Sequence, residues 1–386
     1  MLVTSPYYPP LTFLNTKNLA VSTCIATKQL PPPGWSTPTE AVESVFSPTS
    51  CDLGNSTTHL SLLQGYLHRA HFSLGLGAAH QVGTPIHVYA LYENAFRAHY
   101  GQSMQANHEE SARLYAAFSK VAQHNEFAWN EGKADTVEVI GTVGKKNRMV
   151  CFPCTYTVLD KLLDPADILT SRLHATDPLL MNAFNTVNLA SAIILTSTTF
   201  AQSLGIPASQ WIYPLGGAGT QDADEFWNRP NFHSSPSLSR SIDASLRVSG
   251  IEKQDIDVLD IYSCFPVVPK IAARHLGVPI TGGQTRLSLL GGLTSFGGAG
   301  NNYSTHALTA MTRCLRQGKA TTGLVLCNGG MMTSQYAVVL SNTPPTKGVY
   351  PLENPLPPQL TDVATPDLAL RAEGHAVVEV CVFETM

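Results

Sequence analysis

The sequence predicts an α/β fold, and the stretch 287–340 provides the main observations. A Gly-rich turn at 291–302 leads directly into a helix whose apolar residues recur at helical spacing, and Gly318 closes that helix. A short apolar strand at 323–326 and a second apolar run at 336–340 follow it. Alternating strands and helices joined by Gly-rich turns are typical of α/β proteins.

The composition limits the class of protein. At 386 residues, 44% of them apolar, the chain is long enough for a sizeable core and two or three subdomains. Only 13% of residues are charged, the formal net charge is -4, and neither a basic stripe nor an acidic tail is present. A nucleic-acid-binding protein is therefore not expected.

The sequence also predicts the compartment. The N-terminus lacks the basic and apolar regions of a secretory signal, and the longest apolar runs, such as 189–195, are too short to span a bilayer. Eight cysteines without a regular framework are typical of a reducing compartment. The ending 383–386 is not a peroxisomal SKL-type signal, so the prediction is an intracellular protein, cytoplasmic or peroxisomal.

The first half of the chain contains few clear elements. Residues 1–50 are rich in Pro, Ser and Thr and contain one predicted strand at 19–26. A helix is predicted after Gly54-Asn55-Ser56, and two more at 87–101 and 109–123. In the first of these two, three aromatic residues at helical spacing are more typical of a core than of a ligand site: Tyr89, Tyr92 and Phe96.

The second half begins with a mostly apolar run at 188–196, interpreted as a buried parallel strand, followed by a helix at 199–204. A strand is predicted at 258–262. From 342 the chain is Pro-rich, which is a linker composition, and one strand is predicted near the end at 375–383.

Cys327 lies where the backbone is tightest, in the turn Cys327-Asn328-Gly329-Gly330 that ends a strand. Glycines permit positive φ angles and close approach of a ligand, so the thiol is suited to chemistry. A buried packing cysteine is an equally good interpretation, because free Cys is among the most buried residue types.

This turn and the Gly-rich loop before it resemble the C-terminal half of thiolases, in particular the sterol-carrier-protein-2-type thiolase-like acyl-CoA enzymes. Gly291-Gly292 and Gly297–Gly300 match the family's first loop in spacing, and the Cys327 turn matches its Cys-x-Gly-Gly turn. The resemblance implies a layered α/β/α/β/α fold with two similar halves. It divides the chain into an abridged N-terminal half (51–205, with a loop domain at 81–186), a C-terminal half (206–342), and a linker with the start of an extra β domain (343–386).

The resemblance also implies catalytic roles. Cys327 occupies the position of the cysteine that acts as acid and base, while Gly298 stands where the family has a histidine. His306 is the nearest imidazole in the sequence. Tyr262-Ser263-Cys264-Phe265 occupies the place of the Asn-Glu-Ala-Phe or His-Asp-Cys-Phe turn, so Tyr262 would be the donor on the oxyanion side.

The nucleophile is the part of the family pattern that this sequence lacks. In thiolases it lies in a tight turn at a helix N-terminus, and here that position falls on Leu53. Cys51, two residues earlier, keeps the same face of a strand and is the candidate replacement. The alternative is that Cys51 is an ordinary strand cysteine.

Substrate binding is predicted on the two turns and on a small basic cluster. Lys145 and Arg148 are candidate contacts for the phosphates of coenzyme A, or else part of a solvated basic turn. The residues of the two turns predicted to contact substrate are Gly297, Gly298, Gly300, Asn301, Tyr303, Gly329 and Gly330.

Three functions remain open at this point. The chain is an acyl-CoA C-acyltransferase, a thiolase-fold aldolase acting on acyl-CoA, or a protein that binds CoA esters without turnover. The resemblance implies a CoA thioester as substrate, no tightly bound cofactor, and a homodimer or homotetramer. The lone Cys-x-x-Cys at 151–154 lacks a second Cys/His pair, so no metal site is predicted.

Overall fold

A computed structural model describes residues 85–150, 177–223, 226–283, 287–300, 302–345 and 353–365, together with the backbone of residues 19–27. The predicted helix after Gly54, Cys51, the Cys-x-x-Cys segment, Asn301 and the predicted strand at 375–383 lie outside the described residues.

The described strands form two sheets. The strands are β1 (Leu19–Thr27), β2 (Ala190–Ser197), β3 (Tyr213–Gln221), β4 (Val258–Ile261), β5 (Thr322–Gly329) and β6 (Ser334–Ser341). One sheet has the order β3-β6-β5-β4, and the other pairs β1 with β2. In the larger sheet β4 and β5 are parallel, whereas β6 is antiparallel to both β5 and β3.

Helices occur throughout the described ranges of the chain. They are α1 (Pro85–His99), α2 (Met104–Ala122), α3 (Val137–Gly141), α4 (Thr198–Ser203), α5 (Pro236–Ser249), α6 (Val267–Leu276), α7 (Gly292–Ser295) and α8 (Asn302–Arg316). None of them combines the length and the hydropathy needed to cross a membrane.

Local signals explain where several helices begin and end. The Ser103 side chain accepts a hydrogen bond from the Ala106 N–H, so α2 begins five residues before the predicted 109. Ser235 caps α5 in the same way, with Pro236 in its first turn. Gly250 ends α5 in the left-handed conformation that glycine adopts at low cost.

Strand β5 separates two hydrophobic clusters by its period of two. Leu324 and Leu326 belong to the cluster that includes α5 and α6, whereas Val325 and Cys327 belong to the cluster that includes α8. At Gly323 an added Cβ would lie 2.1 Å from the Met311 Sδ of α8, so the missing side chain lets the helix approach the sheet. Cys327 therefore faces α8.

Helix α8 lies between the two sheets. It contacts β5 and β6 on one side and β1 and β2 on the other, and α5 packs on β3 and β6. The order is helix, sheet, helix, sheet, so the predicted layered α/β architecture is confirmed. Asn302, at the start of α8, accepts a hydrogen bond from the Ser191 Oγ at 2.9 Å and donates one to the Leu189 carbonyl.

The predicted buried parallel strand at 188–196 is wrong in two respects. Strand β2 is antiparallel to β1, and Ile194 and Leu195 are 51% and 45% exposed. An apolar run identifies a strand, but which strand pairs with it and what covers it depend on distant parts of the chain.

The described part of the Pro-rich tail packs on the body of the protein. Asn354 accepts a hydrogen bond from the Gly219 N–H and donates one to the Gly219 carbonyl at 2.6 Å. The Gln221 N–H donates to the Pro358 carbonyl, and the Leu360 N–H to the Gln221 carbonyl. This segment therefore covers the edge of β3, a device that protects sheet edges from pairing with other chains.

Candidate functional site

Cys327 is a buried thiol at the carboxyl end of β5, with 6% of its surface exposed. Burial raises its pKa to about 11, and a hydrogen bond with Ser304, in the first turn of α8, opposes that rise. The thiol is therefore protonated near neutral pH and is held against the start of a helix.

Tyr262 lies beside Cys327 at the end of the neighbouring parallel strand. Its N–H donates to the Leu326 carbonyl at 3.0 Å, one residue beyond the pair Ile261 and Leu326. Burial raises the pKa of Tyr262, and the thiols of Cys264 and Cys327 raise it further. The phenol therefore keeps its proton and can donate a hydrogen bond to a developing negative charge.

Tyr303 completes this side of the site. Its ring lies edge-on to the Tyr262 ring at 5.6 Å between centroids, and its hydroxyl lies 3.3 Å from the Ser288 Oγ. Cys327, Tyr262, Ser304 and Tyr303 thus meet where the carboxyl ends of β4 and β5 face the N-terminus of α8. This edge is where open α/β sheets commonly bind ligands.

Asp260 holds the segment 288–290, which leads into the Gly-rich loop, by hydrogen bonds. This role was not predicted from the sequence. The Asp260 Oδ2 accepts hydrogen bonds from the Ser288 Oγ at 3.0 Å and from the N–H groups of Leu289 and Leu290 at 2.8 and 3.0 Å. Burial raises its pKa to about 6, against the effect of these hydrogen bonds. The available signal was an aspartate inside the otherwise apolar strand 258–262.

The Ser288 hydroxyl connects Asp260 to the first two glycines of the loop by hydrogen bonds. Its Oγ accepts from the N–H groups of Gly291 and Gly292 at 2.9 and 3.0 Å. Gly291 has a φ of 107°, and a Cβ there would lie 2.5 Å from the Ala122 backbone nitrogen. The close packing of the loop on α2 therefore requires glycine at this position.

The second group of glycines has protein partners for two of its N–H groups. The Gly298 N–H donates to the Phe184 carbonyl at 2.8 Å, and the Gly300 N–H donates to the Gly298 carbonyl at 2.8 Å. Gly297 has a φ of 108° and lies close to Val187 and Trp129. Direct contact of these glycines with substrate stays a prediction.

His306 is buried in α8, with its ring edge-on to Phe296 at 5.3 Å. Within the described ranges neither ring nitrogen has a hydrogen-bond partner. Burial lowers its pKa to about 4, and the nearby Arg313 charge lowers it further. A catalytic role for this neutral imidazole stays a prediction.

The turn after Cys327 contains Gly329 and Gly330, and the side chain of Asn328 fixes its start. Asn328 Nδ2 donates to the Tyr89 hydroxyl at 3.0 Å and lies 3.6 Å from the Cys264 Sγ. Tyr89 is buried and stacks on Phe265 at 4.4 Å, so it is the core residue that the sequence predicts and also a polar partner of the turn. Gly330 has a φ of 60°.

Lys145 and Arg148 are exposed on a surface turn. The buried Asn147 between them organises that turn, because its Nδ2 donates to the Ile140 and Thr142 carbonyls and its Oδ1 accepts from the Leu180 N–H. The contact of the two basic residues with CoA phosphates stays a prediction.

Two predicted site residues, Cys51 and Asn301, lie outside the described residues, so the structure does not place them relative to Cys327. Among the residues that are described, no cluster of three or more His, Cys, Asp or Glu side chains could hold a metal ion.

Comparison with solved structures gives clear matches, whereas no protein-family model and no curated protein matches the chain. The monomeric SCP2-thiolase-like protein type 1 of Mycobacterium smegmatis is 31% identical, with a TM-score of 0.57. The match covers 68% of this chain and 52% of that protein, so this chain spans about half of its length.

A second solved structure, described as an Ltp2-ChsH2(DUF35) aldolase, has a TM-score of 0.58 at 15% identity. This match covers 85% of the present chain and 98% of that one. At such low identity the likeness concerns the fold.

Proposed function

We propose that this chain, which belongs to the thiolase-like superfamily, binds CoA thioesters where β4 and β5 face α8 and acts as a thiolase-type acyl-CoA C-acyltransferase. The observation that carries the proposal is the buried, protonated thiol of Cys327, held beside the Tyr262 phenol and the Ser304 hydroxyl. Proton transfer at the carbon next to a thioester needs such a group in such a place.

The proposed chemical step is the cleavage of a 3-ketoacyl-CoA by a second CoA. The thiolate of the proposed nucleophile, Cys51, bonds to the 3-keto carbon and keeps the acyl group as a thioester. The bond between that carbon and the α-carbon breaks, and its electron pair forms the enolate of acetyl-CoA. Cys327 gives its proton to the α-carbon of that enolate, and the CoA thiol that accepts the acyl group restores the proton. Tyr262 donates a hydrogen bond on the oxyanion side.

This mechanism requires a cysteine that carries the acyl group, and Cys51 is the proposed nucleophile. A nucleophilic thiol needs a low pKa. Within the described parts of the chain the three free cysteines, Cys264, Cys314 and Cys327, all have raised pKa values. None of the three is suited to that role.

The raised pKa values of the three described free cysteines favour a second candidate, an aldolase that cleaves 3-hydroxyacyl-CoA. This reaction forms no acyl-enzyme. The α–β carbon bond breaks, its electrons form the thioester enolate, the substrate hydroxyl loses one proton and the α-carbon gains one. Cys327 would give its proton to the α-carbon and take up the proton that the substrate hydroxyl releases, while Tyr262 would donate a hydrogen bond to the enolate oxygen, so no low-pKa cysteine is needed.

Substrate contacts and assembly complete the proposal. The Gly-rich loop and the Cys327 turn would lie against the thioester, and Lys145 and Arg148 would meet the CoA phosphates. We propose a reducing intracellular compartment, where CoA esters and free thiols coexist. A homodimer or homotetramer is proposed for assembly, and light scattering of the purified chain would detect a monomer instead.

The decisive experiment is intact-mass spectrometry after incubation with acetyl-CoA and acetoacetyl-CoA. An acetyl adduct that maps to Cys51 and disappears in Cys51→Ala supports the acyltransferase. Cleavage of a 3-hydroxyacyl-CoA without an adduct, slowed in Tyr262→Phe, supports the aldolase. No product from either substrate class, in a folded protein whose melting temperature rises with CoA ester, would overturn both and leave a binding protein.

Cys327→Ala tests the shared proton donor. We expect product formation to fall by about 10²–10⁴-fold, the usual contribution of a positioned acid or base. Cys314→Ala is the matched control, because Cys314 is also a buried thiol and lies at the other end of α8. Equal loss of activity in both variants would contradict a specific role for Cys327.

A further inference from the structure

The turn at 330–333, which follows Cys327 and joins β5 to β6, has an unfavourable backbone. Met332 has a φ of 59°, in the left-handed region that residues with a Cβ seldom adopt, and its side chain is fully buried. Such a conformation persists only where the surrounding structure imposes it. The contacts that impose it are therefore informative.

Two hydrogen bonds from outside the hairpin hold this turn. The Tyr92 hydroxyl of α1 donates to the Met331 carbonyl at 2.8 Å. The Asp222 N–H, one residue after β3, donates to the Thr333 carbonyl at 2.7 Å. The turn is thus fixed on one side by the helix and on the other by the end of a strand.

A buried arginine joins these two contacts into one unit. The Arg229 guanidinium lies 4.7 Å from the centroid of the Tyr92 ring, and its Nη2 donates to the Asp222 Oδ2 at 2.7 Å. The two charged side chains are 1% and 8% exposed. Ser237 donates to the same carboxylate from its N–H and its hydroxyl, at 3.1 and 3.0 Å.

The charge pair has a geometric consequence for the tyrosine. A buried guanidinium with a carboxylate partner has a defined position, and a ring beneath it is held by the cation–π contact. The Tyr92 hydroxyl is thereby directed at one carbonyl of the turn. Removing that hydroxyl removes the hydrogen bond to the Met331 carbonyl and the contact between the hydroxyl and Arg229, while the ring stays in place.

We infer that Tyr92, Arg229 and Asp222 are positioning residues for Cys327: this brace holds the turn that follows the thiol, and so keeps Cys327 buried against Ser304. The inference that these residues position the thiol does not depend on which reaction the protein catalyses. Only its catalytic consequence rests on the proposed function, in which Cys327 transfers a proton.

The test compares Tyr92→Phe with wild type and with Glu93→Gln. Glu93 is the next residue on α1, is fully buried, and bonds Lys270 rather than the turn. Its substitution therefore destabilises the same helix without touching the brace. The measurement is the rate at which iodoacetamide alkylates Cys327 between pH 7 and 10, with the residue identified by peptide mass spectrometry.

In Tyr92→Phe we expect a looser turn that admits water to the thiol, so the pKa of Cys327 falls from about 11 toward its ordinary value near 9. Alkylation at pH 8 should then be faster by about 3–10-fold, because the reactive thiolate is more abundant. Glu93→Gln should melt at a lower temperature with Cys327 alkylated at the wild-type rate.

The brace is overturned if Tyr92→Phe and wild type alkylate with the same rates and pH dependence, or if Glu93→Gln accelerates alkylation equally. Catalysis supplies a separate result. With an active wild type, Tyr92→Phe should lower kcat about 5–50-fold with little change in KM. If no variant turns over CoA esters but alkylation still accelerates in Tyr92→Phe, the brace stands and the proposed function fails.

Discussion

The two sheets of this chain contain similar apolar strands but have different surroundings. In the larger sheet β5 is buried along its whole length except its last residue, between α5 and α6 on one face and α8 on the other. In the smaller sheet β2 has no fully buried residue. The large exposed side chains here are Ile194 and Leu195 on β2, Phe200 on α4, and Leu204 directly after α4.

This difference bears directly on the site. Cys327, Tyr262, Tyr303 and Ser304 lie on or beside the sheet that is covered on both faces. Burial in this sheet raises the pKa of the Cys327 thiol and of the Tyr262 phenol, so both keep their protons well above neutral pH. The comparison therefore predicts that the same substitution lowers the unfolding free energy more in the larger sheet than in the smaller one.

The largest effect on stability is expected for Leu324→Ala in β5. Leu324 is fully buried, so the substitution should lower the unfolding free energy by about 2–5 kcal/mol. The matched substitution Leu195→Ala in β2 removes the same atoms from a half-exposed position and should cost less than about 1 kcal/mol. Urea denaturation of both variants measures the difference; equal losses would refute the comparison.

A change in pH should alter the unfolding free energy by a similar amount through Asp260, whose carboxyl links β4 to the segment before the Gly-rich loop. Burial raises the pKa of this carboxyl from 3.8 to about 6, so the native protein holds the proton more tightly than the unfolded chain. Its stabilising contribution is complete below about pH 4 and is lost as the pH rises through 6, a change of about 3 kcal/mol.

Asp260→Asn removes this titration while keeping an oxygen for the three donors. The unfolding free energy of wild type minus that of the variant should therefore fall between pH 4 and pH 7. Melting curves at several pH values give this difference. A difference that stays constant over the range would show that the Asp260 carboxyl titrates normally.

A smaller effect is expected at Gly323, where β5 meets α8. An added Cβ would lie 2.1 Å from the Met311 Sδ, so Gly323→Ala forces the methionine to move and should cost about 1–3 kcal/mol. In a Met311→Ala background the same change should cost much less, because the opposing atom is gone. A double-mutant cycle measures the coupling, and additive losses would contradict close packing of α8 on the sheet.

The smallest effect is expected where the tail covers β3. Asn354→Ala removes the two hydrogen bonds to Gly219 and should cost about 0.5–1.5 kcal/mol. Hydrogen exchange should accelerate at the amides of Gly219 and Gln221, which donate to the tail, and stay unchanged in β5. Unaltered exchange at β3 would show that the tail does not protect this edge.

Much of the fold was predictable because its signals are local. The strands at 258–262, 323–326 and 336–340 are confirmed as β4, β5 and β6, and the helix closed by Gly318 is confirmed as α8. A Ser cap or a left-handed glycine acts through hydrogen bonds to residues within one helical turn, so the local sequence is enough to predict where such a helix begins or ends. The same holds for the position of Cys327 at a strand end.

The site was predictable only in part, since its chemistry depends on distant residues. Asp260, Ser304 and Tyr92 were not predicted to serve it, and each acts on a group far away in the sequence or across an element boundary. Gly298 and Gly300 match the family pattern in spacing, yet the backbone N–H group of each donates a hydrogen bond to a carbonyl of the folded chain.

The sequence by itself determined which segments are strands and helices, where the tight turns lie, and that a thiol ends a strand. The tertiary structure decided that β2 pairs antiparallel with β1, that burial raises the pKa of Cys327, and that Arg229 lies over the Tyr92 ring. The physical reason is range. Periodicity and capping are set by neighbours along the chain, whereas strand pairing, desolvation and charge pairing are set by neighbours in space.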